Sequence, residues 1–397
     1  MRTFEFVQVM FFRLFLLKLL FYFTPIVAQG ECEETWGNRI VSTNKAHLID
    51  SISKLTLLNL NKASDNVFLV GEVHRLNSGE FDFELIKYLY QYQNVRLILF
   101  EWPISDEGSL NYYFETGDYQ ILKLLSKNTT SKTSTMMEFI RNLYEFNLKL
   151  PETSKLIFKT FDVETSYESG IGELRLIALH LEPQPQIVRQ WFQETELVLK
   201  NVGRLQKKEI EKYISDYSIV FHADSVAFKE ALNGKYSYYE RVLNALFNEV
   251  NSNIQGGYLK NDSLREDQMY KNILEIHAEY PNINIYGRLG RFHTCLSSNT
   301  HWMHSPSWTS VAALLNSSSN SPFKGKTCVF LHYYNYNILS MPFEGTSIRY
   351  IPQFEGAMKE CVLKKAKGDY SIVKVDGENS PFSQPLQFQY LIINNKP

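Results

Sequence analysis

The sequence is short of several things, and each shortage closes a class of function. Cysteine is scarce, with four in 397 residues, at 32, 295, 328 and 361, and their spacing matches no zinc knuckle. Net charge is only -2 and no long Lys/Arg block appears, so nothing provides an electrostatic grip on nucleic acid or on anionic lipid. No internal repeat is present, and beyond the N-terminus no apolar run is long enough to span a membrane. What the chain does have is a 44% apolar content, which supports a substantial core in a globular protein rather than a disordered one.

At the N-terminus Arg13 and Lys18 precede the apolar run Leu19-Leu20-Phe21-Tyr22-Phe23, followed by Thr24-Pro25-Ile26-Val27-Ala28. This reads as a signal peptide over residues 1–28, cut after Ala28, with a neater signal if translation starts at Met10. The alternative, an uncleaved anchor, is disfavoured because a run interrupted by Lys18 is short for a span of about 20 residues. The expectation is an exported protein, periplasmic or extracellular, with no stable membrane span after cleavage. Its cysteines can then oxidise, in any of three pairings, with one disulfide or two. Glu31 before Cys32 is not the small residue that lipoprotein processing needs.

Val67-Phe68-Leu69-Val70-Gly71 and Val95 to Phe100 are short, β-rich and mostly apolar, as strands covered on both faces are. Between them Phe81, Leu85 and Leu89, with Phe83, Ile86 and Tyr90, keep a helical period, so the segment forms a right-handed strand-helix-strand unit. Further strands are expected at 155–161, 283–286, 328–331, 370–373 and 388–393. The fold class is α/β: a mixed, mostly parallel sheet sandwiched by helices, in one domain over residues 29–397. From 186 to 255 no strand appears and helix-period runs dominate, broken near Asn233-Gly234. This reads as a helical insertion over the strand ends, placed to wall a cleft.

The chemistry gathers at strand ends. Glu72 and His74, two apart on extended backbone after the first buried strand, put a carboxylate beside an imidazole, the commonest general base near neutral pH. Glu101 in Phe100-Glu101-Trp102-Pro103 ends the second strand, where a carboxylate needs a partner; if the two strands are neighbours, it approaches His74. Arg265 lies in the first turn of the helix opening Asn261-Asp262-Ser263, where the helix dipole disfavours a cation unless carboxylates face it. In Tyr286-Gly287-Arg288-Leu289-Gly290-Arg291-Phe292-His293 two glycines let the backbone bend closely, and His293 would stand across the cleft from His74. His301 and His304 have metal-like spacing, but Trp302-Met303 and Pro306 favour a loop.

In this order the four pieces resemble the erythromycin-esterase-like group and its relatives, the ChaN-like haem-uptake proteins and the Tiki-type exported peptidases. The resemblance spans most of the mature chain. It rests on Gly71-Glu72-Val73-His74, Glu84, Phe100-Glu101-Trp102-Pro103, the Arg-x-Asp-x-Met-x-x-Asn string from Arg265 to Asn272, and Gly290-Arg291-Phe292-His293. It implies a hydrolase in which His74 is the general base, activating water against an ester-like carbonyl of a small molecule without a metal. Glu72, Glu101 and Arg265 match its flanking acids and basic residue, and His293 its late histidine. One departure is the spacing around His74, one residue shorter than the esterase pattern and followed by Arg75-Leu76, which is closer to the haem-uptake and peptidase relatives. Two alternatives follow: a haem-binding protein presenting Tyr286, His301 or His304 at an apolar opening, or a metal-dependent peptidase with Glu72, His74, Glu101 and His293 as ligands or neighbours. An inactive scaffold would leave the polar groups dispersed.

Overall fold

The computed structural model describes residues 40–43, 66–74, 76, 78–127, 134–179, 181, 185–254, 257, 261–296, 309–335, 356–375 and 388–395. The expected signal segment 1–28, Cys32, His301 and His304 lie outside the described residues. The described residues fall into two compact units, one within 61–329 and one of 40–43 with those after 329. No Pro- or Gly-rich linker announces the division, because it falls inside a strand, Thr327–Tyr334.

Strands in chain order are β1 Ile40–Thr43, β2 Val67–Glu72, β3 Val95–Pro103, β4 Ile157–Asp162, β5 Asn284–Gly290, β6 Thr327–Tyr334, β7 Tyr370–Lys374 and β8 Tyr390–Asn394. The helices are α1 Gly79–Gln93, α2 Glu107–Thr116, α3 Tyr119–Lys127, α4 Ser134–Leu148, α5 Tyr167–Ala178, α6 Gln186–Asn201, α7 Lys207–Ala223, α8 Ser225–Leu232, α9 Tyr236–Ile254, α10 Asp262–Glu279, α11 Val311–Ser317 and α12 Gly356–Lys365. In the larger unit β2 pairs with β5, β5 with β3 and β3 with β4, all parallel. In the smaller unit β7 lies antiparallel to β1 and to β8, while β8 runs parallel to β6. Helices alternate with these mostly parallel strands, so the fold is α/β.

Every residue of β2 and of β5 is buried; Val67 to Val70 reads as the continuous apolar run this requires, whereas β5 also buries Asn284 and Arg288. Helix α1 buries Phe81, Leu85, Ile86 and Leu89 on one face and stops at Asn94, whose φ of 51° places it in the left-handed conformation of a helix C-cap. The strand-helix-strand unit differs from expectation in one respect: β2 and β3 are not neighbours, because β5 lies between them. Gly287 makes this possible. It sits inside β5 opposite both Leu69 and Leu99, and a β-carbon there would come within 2.8 Å of Leu69 Cδ2. It is therefore a close-approach glycine within a strand, not a bend.

Residues 186–254 carry α6 to α9, with a single 3-10 turn at 233–235 where Asn233 takes φ 48°. Their core of Tyr217, Phe221, Phe228, Tyr239, Leu243 and Leu246 also takes in Ile104 and, from α5, Ile171 and Leu174. Polar attachment is to the outer edge of β4. Arg241 donates to both Glu107 carboxylate oxygens (3.2 and 3.1 Å) and to the Thr160 carbonyl (3.2 Å), while Glu107 accepts from the Thr160 N–H (3.2 Å) and from Lys159 Nζ (2.9 Å). Side chains thus take up the backbone groups that an edge strand would otherwise leave unpaired.

Cys361 is disulfide-bonded, whereas Cys295 and Cys328 are buried and in no disulfide, which leaves one bridge rather than two. Among the described residues no helix is long and apolar enough to cross a membrane.

Candidate active site

Parallel strands β2 and β5 end in register, Glu72 opposite Gly290. Glu72 is only 4% exposed, and a carboxylate that deep needs a cation. Arg288 supplies it from β5: its Nη2 pairs with Glu72 Oε2, its Nε with Asp82 Oδ2 of α1 at 2.7 Å, and Nη2 also donates to Ser78 Oγ at 2.9 Å. The other Glu72 oxygen faces His74 Nδ1 at 3.1 Å. Glu72 is therefore clamped from behind, and it in turn fixes the imidazole ring.

The His74 side chain is 44% exposed. Its Nε2 rests over Gly290, where a β-carbon would lie 3.1 Å from His74 Nε2 and 3.4 Å from His293 Cδ2. Gly290 has ordinary backbone angles (φ -57°, ψ 138°), so what the position needs is the missing side chain. The two imidazoles flank this one glycine. Burial lowers the pKa of His74, but the Glu72 hydrogen bond and the charges of Glu101 and Glu72 outweigh it despite His293, and the net direction is upward.

His293 has a different environment. It belongs to the 3-10 turn Arg291–Thr294 that follows β5, and its side chain is 12% exposed. Nε2 lies 3.2 Å from Glu101 Oε1 and Nδ1 bonds Glu266 Oε1. Burial opposes its charge, yet the two carboxylates raise its pKa to about 10. At neutral pH it is a fixed imidazolium.

Glu101 and Arg265 complete the cluster. Burial pushes the Glu101 pKa up, but His293, Arg265 and His74 together hold it well below the usual carboxylate range. Its Oε1 accepts from Arg265 Nη2 at 2.8 Å and its Oε2 from the Gly290 N–H. Arg265 also forms a two-point fork with Asp162 at the end of β4, Nε to Oδ1 at 3.0 Å and Nη2 to Oδ2 at 2.7 Å. These carboxylates explain a cation in the first turn of α10. The helix buries Met269 and is pinned to β4 by Asn272, whose Nδ2 donates to the Phe161 carbonyl at 2.9 Å. Its Glu266, 1% exposed, bridges His293 to the Val311 N–H at the start of α11.

All five residues singled out in the sequence, Glu72, His74, Glu101, Arg265 and His293, thus meet at the ends of β2, β5, β3 and β4. Glu101 arrives through β5 and not by strand adjacency with β2. Asp162, Glu266 and Arg288 complete the site and have no role assigned in the sequence reading. Asp162 carries the same signal as Glu101, an acid closing an apolar strand, but the strand is read as stopping at Phe161. Glu84 stays outside, ion-paired with Lys87 at 2.9 Å; the acid of α1 that reaches the network is Asp82. Tyr286 is fully buried and presents nothing at an opening. Both His293 nitrogens face carboxylates, and among the described residues no group of three or more His, Cys, Asp or Glu is arranged to hold a metal ion.

No protein-family model and no curated protein matches the chain. Solved structures do. A protein from Bacillus cereus aligns with a TM-score of 0.65 at 14% identity, over 92% of this chain and 96% of that one. An erythromycin esterase mutant in its open conformation aligns at 0.62 and 12% identity, over 89% and 97%. A succinoglycan biosynthesis protein aligns at 0.64 and 12% identity, over 92% and 96%. The fold resemblance drawn from the motifs is therefore real over most of the chain; at these identities it concerns the fold alone.

Proposed function

We propose that the protein is a hydrolase that directs water at an ester-like carbonyl of a small molecule, with His74 as general base. The observation that carries this reading is the contrast between the two imidazoles. His74 is open to solvent, held at Nδ1 by Glu72, and presents Nε2 beside the glycine that separates it from His293. His293 is mostly covered and held in its cationic form by Glu101 and Glu266. A base must exchange protons near the working pH, and a group that stabilises developing negative charge must not.

In this mechanism the neutral His74 takes a proton from water through Nε2, while its Nδ1–H donates to Glu72. The imidazolium so formed is stabilised by Glu72 and Glu101. Both ring nitrogens of His293, and Nε and Nη2 of Arg265, are committed to carboxylates, so these groups act by their field on the oxyanion and by holding Glu101 ionised. The fold of an erythromycin esterase supports an ester or lactone as substrate class. Export is part of the proposal, supported by the N-terminal apolar run and by a disulfide at Cys361, which needs an oxidising compartment.

Hydrolysis of p-nitrophenyl esters and of a macrolide lactone, measured on the wild type and on His74→Ala, tests the proposal. Turnover should fall by about a hundred- to ten-thousand-fold in the variant with circular dichroism unchanged. Full activity in His74→Ala would remove His74 from the mechanism, and loss of wild-type activity with a chelator would favour the metal-dependent peptidase instead.

A further inference from the structure

The larger unit holds a cavity of about 570 Å³ between α2, α5 and the 3-10 turn at 233–235. That volume suits a small organic ligand. No residue lining it belongs to the histidine site.

Its polar floor is Glu173 with Tyr238. Glu173 is 6% exposed, and its Oε1 accepts from the Tyr238 hydroxyl at 3.1 Å, which itself accepts the Gly108 N–H at 2.8 Å. Gly108 is required for this approach, since a β-carbon there would overlap the Glu173 carboxylate at 1.9 Å. Among the described residues no cation pairs with Glu173, and its Oε2 has no protein hydrogen bond. The other charges near the floor compensate one another: Lys159 pairs with Glu107 at 2.9 Å and with the more exposed Glu279 at 3.5 Å, and Arg241 with Glu107 at 3.1 Å. At the rim, exposed Lys235 and Glu115 offset each other. The walls are apolar, from Ile121, Tyr112 and Leu176, the last two still 49% and 50% exposed. Large side chains left that open around a cavity are what a ligand would cover.

We propose that this cavity binds a small cationic amphiphile, with its ammonium group on Glu173 beside the Tyr238 ring and its alkyl or aryl body along Tyr112, Ile121 and Leu176. An anion would meet Glu173 head-on, and a neutral ligand would cover the carboxylate without replacing its water. A cation gains both the charge and the aromatic faces. Burial, opposed by the Tyr238 hydrogen bond and reinforced by Asp106, Glu107 and Glu164, pushes the Glu173 pKa up to about 7. The cation binds the ionised form, so affinity rises between pH 6 and pH 8. This site is independent of the proposed hydrolysis.

Calorimetric titration of the full chain with hexylammonium, hexanol and hexanoate tests the proposal. Hexylammonium should bind saturably at one site, about tenfold or more tighter than hexanol, and hexanoate should not bind. Glu173→Gln should weaken hexylammonium about tenfold. Leu176→Lys, at an exposed position that does not threaten folding, should weaken it too by placing a cation at the rim. Equal affinity for the three probes, no saturable binding, or unchanged affinity in either variant overturns the proposal.

Discussion

Strand β4 carries two clusters of buried charge two residues apart. At Lys159 and Thr160 the first gathers Glu107 and Arg241; at Asp162 the second gathers Arg265, Glu101, His293 and Glu266. Both are dense networks of ion pairs and both dock a helix, α9 in one case and α10 in the other. They differ in where they end. The side chains of Glu107, Lys159 and Arg241 are 2%, 10% and 7% exposed, and the first cluster compensates its own charges with Glu279 and holds no histidine. The second passes through Gly290 to His74, an imidazole 44% exposed. Buried charge is therefore no mark of a site by itself; what marks one is a titratable group that the buried charges hold at the surface.

The comparison can be broken at either end. Arg241→Ala should leave Glu107 and the Thr160 carbonyl short of a partner deep in the protein, at a cost of about 3 to 5 kcal/mol. The melting temperature should drop while turnover per folded molecule stays the same; a turnover loss instead would show that the two clusters are one machine. Glu72→Gln acts on the open cluster. Glu72 raises the His74 pKa by hydrogen bond and by charge, so its removal should move the acid limb of the pH–rate profile to lower pH, with reduced turnover. An acid limb that does not move would mean that another group is the base. Gly290→Ala is the gentlest probe. Its backbone angles suit alanine, so stability should change by less than about 1 kcal/mol. The new methyl presses on His74 Nε2, so turnover should fall all the same; an unchanged rate would place the reacting atoms elsewhere.

Much of this was legible in the residues, and the misses have physical causes. Apolar runs such as Val67 to Val70 reveal buried strands, and a carboxylate or histidine just beyond such a run must be paired or presented, which is how Glu72, His74 and Glu101 stand out. Arg265 is legible because a cation in a first helical turn needs acids nearby. Strand order is not legible: nothing local to β5 says that it inserts between β2 and β3, and Gly287 reads equally well as a bend or as a close approach. Partners are hidden for the same reason. Asp162, Glu266 and Arg288 look like ordinary charges at a strand end, on a helix and between glycines until the parallel pairing brings them together.

The proposed mechanism needs unlike charge states in the two histidines, and an NMR pH titration of the labelled imidazoles measures them directly. His293 should remain doubly protonated until the pH nears about 10, while His74 titrates at a pH above 6.5 and before His293. If His293 loses its proton near neutral pH, or if His74 keeps its proton to as high a pH as His293, the roles of base and fixed cation are contradicted.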